Sequence, residues 1–312
     1  MLIGVFKSNQ KLINGLTVLL LSLLWIPAFF LDNGTHGLIS TGVWWLDLFL
    51  MIFLLACQSI YLNYLASEYK LVKDNSHLTS LIYVILNSCF LWFFELNAVV
   101  IANTFVLIAL HQLFRIYGTK NHFSLSFGTG LLLGLAGLIY FPMFAYFILL
   151  WAFLIYTTTP TWRDFFVSLI GLSLPIVYYI VYKFVFGDLL MLNLSDYLNQ
   201  IFVINWETFT AFNQLFLIGL LLIFGFALLK LVAVINSSVV KTSKLLIMAV
   251  LMLVLGFGSL FLNQYDFLAT FLMTSIPVAI IIANFFQNLK KVWLAEVLFL
   301  CLMILMILGY FS

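Results

Sequence analysis

The stretch Leu215-Phe-Leu-Ile-Gly-Leu-Leu-Leu-Ile-Phe-Gly-Phe-Ala-Leu-Leu-Lys-Leu231 carries one charge, Lys230, close to its end. A run this apolar has no side that can face water. At about 1.5 Å per residue it covers most of a hydrocarbon core of roughly 30 Å. A barrel strand is only about ten residues long and alternates polar with apolar positions, and this run does not alternate. It reads as a transmembrane helix.

The same pattern recurs along the chain. Spans are predicted at 12–31, 43–65, 78–94, 98–114, 125–140, 143–156, 165–184, 215–231, 245–262, 267–286 and 292–311. The sequence therefore predicts an all-α, polytopic membrane protein of about eleven transmembrane helices, organised as one integral domain over 1–312. Phe141-Pro142 is the whole connection between the fifth and sixth spans and predicts a tight helical hairpin. Composition agrees. Hydrophobic residues are 65% and charged residues 8%, against about 25% charged in a soluble domain. A water-soluble enzyme is excluded, and a net charge of +2 gives no reason to expect a nucleic-acid partner. Cys57, Cys89 and Cys301 all lie inside apolar runs and read as packing residues.

Orientation follows from Lys and Arg, which are in excess on cytoplasmic loops. With the N-terminus in the cytoplasm, twelve of the thirteen fall inside, from Lys7 and Lys11 to Lys290 and Lys291, and only Lys183 falls outside. The first span follows Lys7 and Lys11 without a small-x-small cleavage site, so it is expected to stay uncleaved. The expected location is the bacterial inner membrane. The longest connection, 187–213, lies on the outer side, and Ser195-Asp196 there is placed to cap a short interfacial helix.

Acidic residues gather toward the outer face. Asp32 follows the first span, Asp47 opens the second beside Trp44 and Trp45, and Glu95 sits at an outer boundary with almost no loop. One reading is a carboxylate set acting as a general base or metal site. The other is a solvated acid at Asp32, a helix-dipole partner at Asp47 and a headgroup contact at Glu95. His77, His111 and His122 fall on the inner side and His36 on the outer, so four histidines cannot form one centre. A three-His metal site stands against the commoner reading of interfacial histidines paired with water, and no cofactor is expected, with a divalent metal the one candidate. Gly130-xxx-Gly134 is a small-residue pair that lets two helices approach closely. Pro160-Thr-Trp-Arg-Asp164 starts a helix, with Arg163 an anchor or a lipid-phosphate contact. Gly171, Pro175 and Pro277 loosen the helices that hold them.

The order Leu110-His-Gln-Leu-Phe-Arg115, Gly130-Leu-Leu-Leu-Gly134, Tyr140-Phe-Pro142, Trp162-Arg163 and Gly171-xxx-Pro175 resembles an uncharacterised Bacteroidota polytopic inner-membrane family, often auto-labelled β-carotene monooxygenase. The junction Leu62-Asn63 with Asp74-Asn-Ser-His77 belongs to the same likeness. A wider similarity is to membrane glycosyltransferases that use polyprenyl-phosphate sugars, from the Gly-rich stretch between Gly128 and Pro142 and an acid directly after the first span. That likeness implies Asp32 as catalytic base, with Asp47 or Glu95 assisting directly or through a divalent metal. It also implies a lipid-linked sugar bound near Trp44, Trp45, Lys183, Asp196 and Trp206.

Three functions follow from these readings. A glycosyltransferase-like protein predicts the three acids converging on one outward groove. A scaffold of a secretion or motility assembly, with other membrane proteins as partners, predicts dispersed acids and an exposed small-residue face at Gly130 and Gly134. A transporter or lipid flippase predicts ionisable residues near mid-bilayer and interrupted helices in matched halves, and the acids here gather at helix ends instead.

Overall fold

The computed structural model describes residues 12–25, 44–72, 76–90, 97–117, 119, 122–157, 160–186, 211–262, 267–289 and 292–310. Among them eleven α-helices follow one another, with no strand. They are α1 (Leu12–Leu24), α2 (Trp44–Glu68), α3 (Leu78–Leu86), α4 (Ala98–Ile116), α5 (Phe123–Ile139), α6 (Tyr146–Thr157), α7 (Trp162–Val185), α8 (Ala211–Ser237), α9 (Val240–Leu262), α10 (Phe267–Asn288) and α11 (Val292–Tyr310). Seven of these, namely α2, α4 and α7 to α11, are long and apolar enough to cross a membrane. The protein is an all-α polytopic membrane protein.

The helices α1, α3 and α6 are shorter than the spans expected of them. The largest difference is at 78–94, where α3 stops at Leu86. Nine residues rise only about 13 Å, so α3 as a helix does not cross. Between α5 and α6 a 3₁₀ turn, Phe141–Ala145, with Pro142 in its first turn, packs back against α5. Proline is tolerated there because the first turn needs no N–H donor.

The described residues fall into two compact units. The first draws on Met1–Asn97, Asn205–Ser243 and Ser275–Ser312. All nine residues of α3 are buried in it. α2 lies antiparallel to α3: Tyr83 Oη donates to Gln58 Oε1 at 2.7 Å, and Asn63 Nδ2 lies 3.2 Å from His77 Nδ1. α1 joins through Trp25 Nε1, which donates to Ser88 Oγ at 2.9 Å, and α11 joins through Tyr310 Oη, which donates to Ser88 O. Asn284 Nδ2 of α10 donates to Leu71 O at 2.7 Å. α8 packs antiparallel on α11, with Gly219 against Leu302 and Asn213 against Gly309.

The second unit draws on Ala98–Ile204 and Lys244–Thr274. α5 is held between α4 and α7. A Cβ added at Gly134 would stand 2.7 Å from Leu172 O, and one at Gly130 or Gly171 would overlap Ser168 O or Phe127 O. The two backbones therefore touch through these glycines, as the Gly130-xxx-Gly134 spacing predicts. α7 opens on Thr161, whose N–H and Oγ1–H both donate to Asp164 Oδ2, at 2.8 and 2.9 Å. Asp164 thus serves the helix start. Trp151 Nε1 donates to Ser168 Oγ at 3.0 Å and ties α6 to α7.

Candidate functional site

Of the acids expected to form an outer groove, Asp47 is the one within the described residues. It lies in the first turn of α2 and is buried, 7% exposed. A carboxylate there complements the positive end of the helix dipole. Trp45, two residues earlier, is 57% exposed. Trp44 begins α2. Lys183 lies in the last turn of α7, its Nζ 5.9 Å from the Tyr179 ring centroid. Trp45 and Asp47 belong to the first unit and Lys183 to the second. Asp32, Glu95, Asp196, Trp206 and nearly all of the 187–213 connection lie outside the described residues, as does His36. Among the described residues no three His, Cys, Asp or Glu side chains converge as metal ligands.

The structure assembles a different polar site, on α3. The pairs Gln58–Tyr83 and Asn63–His77 fix the register, each step up α2 matching a step down α3. Leu86, the last residue of α3, then lies level with about Leu55. α2 continues for eleven more residues to Trp44, about 16 Å. α3 is a half-helix that ends part-way along a spanning helix. Its C-terminal turn is closed by side chains: Asn87 Nδ2 donates to Tyr83 O at 2.8 Å and Cys89 Sγ to Leu86 O at 3.1 Å. Ser88 is fixed from both sides by Trp25 and Tyr310.

Four oxygens along this seam have no hydrogen-bond partner: Asn63 Oδ1, Ser76 Oγ, Thr79 Oγ1 and Asn87 Oδ1. Their residues are all buried, Thr79 completely. A buried polar atom left unpaired costs about 1–3 kcal/mol. Of these four, Thr79 lies on α3, Ser76 and Asn87 flank its two ends, and Asn63 lies on α2. The set is hydroxyls and amides, able both to donate and to accept. The titratable member, His77, is half-buried, and burial pushes its imidazole below the ordinary value.

A reading that follows charges misses this site, because Gln58, Thr79 and Asn87 are uncharged. The available signal is their presence inside apolar runs, where each polar group needs a partner. Comparison with protein-family models, with curated proteins and with solved structures finds no match for the chain.

Proposed function

We propose that this membrane protein takes the hydroxylated head of a lipid-linked sugar into the α2–α3 seam and carries it across the bilayer as one step of a lipid-linked glycan pathway. The observation that carries the reading is the half-helix α3, with an unpartnered oxygen on it at Thr79 and others beside it at Asn63, Ser76 and Asn87. Interrupted helices that hold polar groups at membrane depth are where transporters bind their substrates. Hydroxyls and amides, without an Arg or Lys among them, suit a sugar rather than a phosphate.

A second reading, glycosyl transfer at the outer face with Asp32, Asp47 and Glu95, keeps one favourable observation, the burial of Asp47. The scaffold reading is weakened, since the Gly130 and Gly134 face is covered by α7 rather than presented to a partner.

The test uses a strain whose only copy carries Asn63→Leu with Thr79→Val, protein abundance in the membrane being matched to the parent. Lipid-linked sugars are extracted and their sidedness read with a lectin on right-side-out and inverted vesicles. Accumulation on the cytoplasmic leaflet supports translocation. Unchanged amounts and sidedness, where full deletion alters them, remove the seam from the mechanism. If Asp32→Asn instead abolishes the glycan while sidedness is normal, the transferase reading replaces this one.

A further inference from the structure

Outside the seam, the first unit carries an apolar groove of about 740 Å³ between α8, the C-terminal end of α10 and α11. Its walls include Gly219, Phe226 and Lys230 from α8 and Leu298, Cys301 and Leu305 from α11. The volume lies in the range of a site for a single ligand, about 300–1,000 Å³. Leu222 and Leu229, which also line it, are 61% and 74% exposed, so the groove opens on the outside of the chain.

Two features say what fills it. The first is length. From Gly219 to Lys230 on α8, and from Leu294 to Leu305 on α11, the lining extends eleven residues, about 16 Å. That is about half of a hydrocarbon core of roughly 30 Å, the depth of one leaflet. The second is charge. The groove is apolar until its end, where Lys230 stands with its Nζ 5.6 Å from the Phe285 ring centroid and donating to Asn288 O. The ammonium caps α10 and sets a positive charge at the groove mouth. Leu289, the lining residue at that end, is followed in the sequence by Lys290 and Lys291. On the Lys and Arg count this is the cytoplasmic side.

We infer that the groove holds one anionic diacyl phospholipid of the leaflet facing Lys230, its acyl chains along α8 and α11 and its phosphate at the Lys230 ammonium. Basic positions between transmembrane helices at the cytoplasmic face favour anionic headgroups in this way. The inference is separate from the translocation reading, whose site lies on α2 and α3.

The test is lipid binding to the delipidated full chain in detergent, read by native mass spectrometry. The probes are phosphatidylglycerol and phosphatidylcholine of identical acyl chains. Wild-type protein is expected to prefer phosphatidylglycerol about five-fold, the effect of ~1 kcal/mol per basic side chain near the headgroups. Lys230→Met keeps the stem, removes the charge and is expected to abolish the preference. Gly219→Leu fills the groove, and its Cβ meets only Leu302 Cδ2, at an ordinary 3.5 Å. It is expected to weaken both lipids alike while the melting midpoint stays near the parent's. Equal binding of the two lipids by wild type, or a preference surviving Lys230→Met, overturns the inference. So does a polyprenyl phosphate that displaces phosphatidylglycerol at equal concentration, which would assign the groove to a carrier lipid.

Discussion

At the scale of single residues, the structure repeatedly spends a polar side chain on a backbone carbonyl that the helix itself leaves open. Within α10, Pro277 has no N–H to give Met273 O, its partner four residues earlier. Tyr146 Oη donates to that carbonyl at 3.1 Å, and Asn103 Nδ2 donates to the neighbouring Leu272 O at 3.0 Å. The sequence shows that Pro277 loosens the helix but not which side chain repairs it, because Tyr146 lies far away along the chain. Tyr146→Phe is therefore expected to destabilise the protein in detergent by about 0.6–1.7 kcal/mol, the range for such bonds in membrane bundles. In a Pro277→Ala background the new N–H satisfies Met273 O, so the same substitution should cost clearly less. Additive losses in that double-mutant cycle would show that the contribution of the Tyr146 hydroxyl does not depend on the N–H missing at Pro277. The unpaired hydroxyl of Thr79 predicts the opposite sign. Thr79→Val keeps the shape and removes an unsatisfied group, so the melting midpoint should rise. A midpoint that drops would mean that the hydroxyl has a structural partner. His77 adds a pH dependence. Its folded-state value is lowered, so the unfolded chain binds the extra proton in the window below the ordinary value near 6.5. Stability should fall as pH drops through that window, and His77→Asn should flatten the dependence in melting scans at pH 5 to 8.

Elements show why some helices were legible and others were not. The α5–α7 contact could be read in advance because glycine spacing is a local signal: Gly130 and Gly134 fall on one helix face and admit a backbone. A Leu at Gly130 has nowhere to go, with Ser168 O against the site, whereas Gly225 has open space around it. Gly130→Leu is thus expected to cost at least the 1–3 kcal/mol of an overpacked core, and Gly225→Leu close to nothing, in matched detergent melts. Equal melting of the two variants would mean that the helices separate without penalty. The early end of α3 was not legible. Hydropathy stays high through Cys89 and Phe90, so a window over 78–94 sees one span. What stops the helix is partly local, Asn87 turning onto Tyr83 O, and partly tertiary, Trp25 and Tyr310 holding Ser88 from far along the chain. α8 differs the other way, extending to Ser237, six residues beyond the predicted end. Polar residues do not end a helix once it has left the hydrocarbon.

For the whole molecule, the prediction with most reach is orientation, because it decides which leaflet the Lys230 end of the groove faces. The expected alternation of spans can be checked within each unit from contacts that join distant segments. In the first unit, Lys241 Nζ lies 5.3 Å from the Tyr69 ring centroid, and Asn284 reaches Leu71 O. In the second, Lys244 Nζ donates to Tyr156 O at 3.1 Å and lies 5.8 Å from the Tyr117 ring centroid. Each pair joins residues that the sequence reading assigns to the same side. Alternation leaves the sign open, and Lys and Arg supply it. Ser238 and Val239, the two residues between α8 and α9, are expected in the cytoplasm, and the connection after Leu262 outside. A cysteine at Ser238 in a Cys57→Ser/Cys89→Ser/Cys301→Ser background should resist a membrane-impermeant maleimide on intact cells and react after permeabilisation, and one at Gln264 should do the reverse. Labelling of both from outside would break the alternation between α9 and its neighbours. A clean inversion would keep every helix and contact in place but turn the molecule over. The Lys230 end of the groove would then face the outer leaflet, and the lipid drawn into it would have to come from that side.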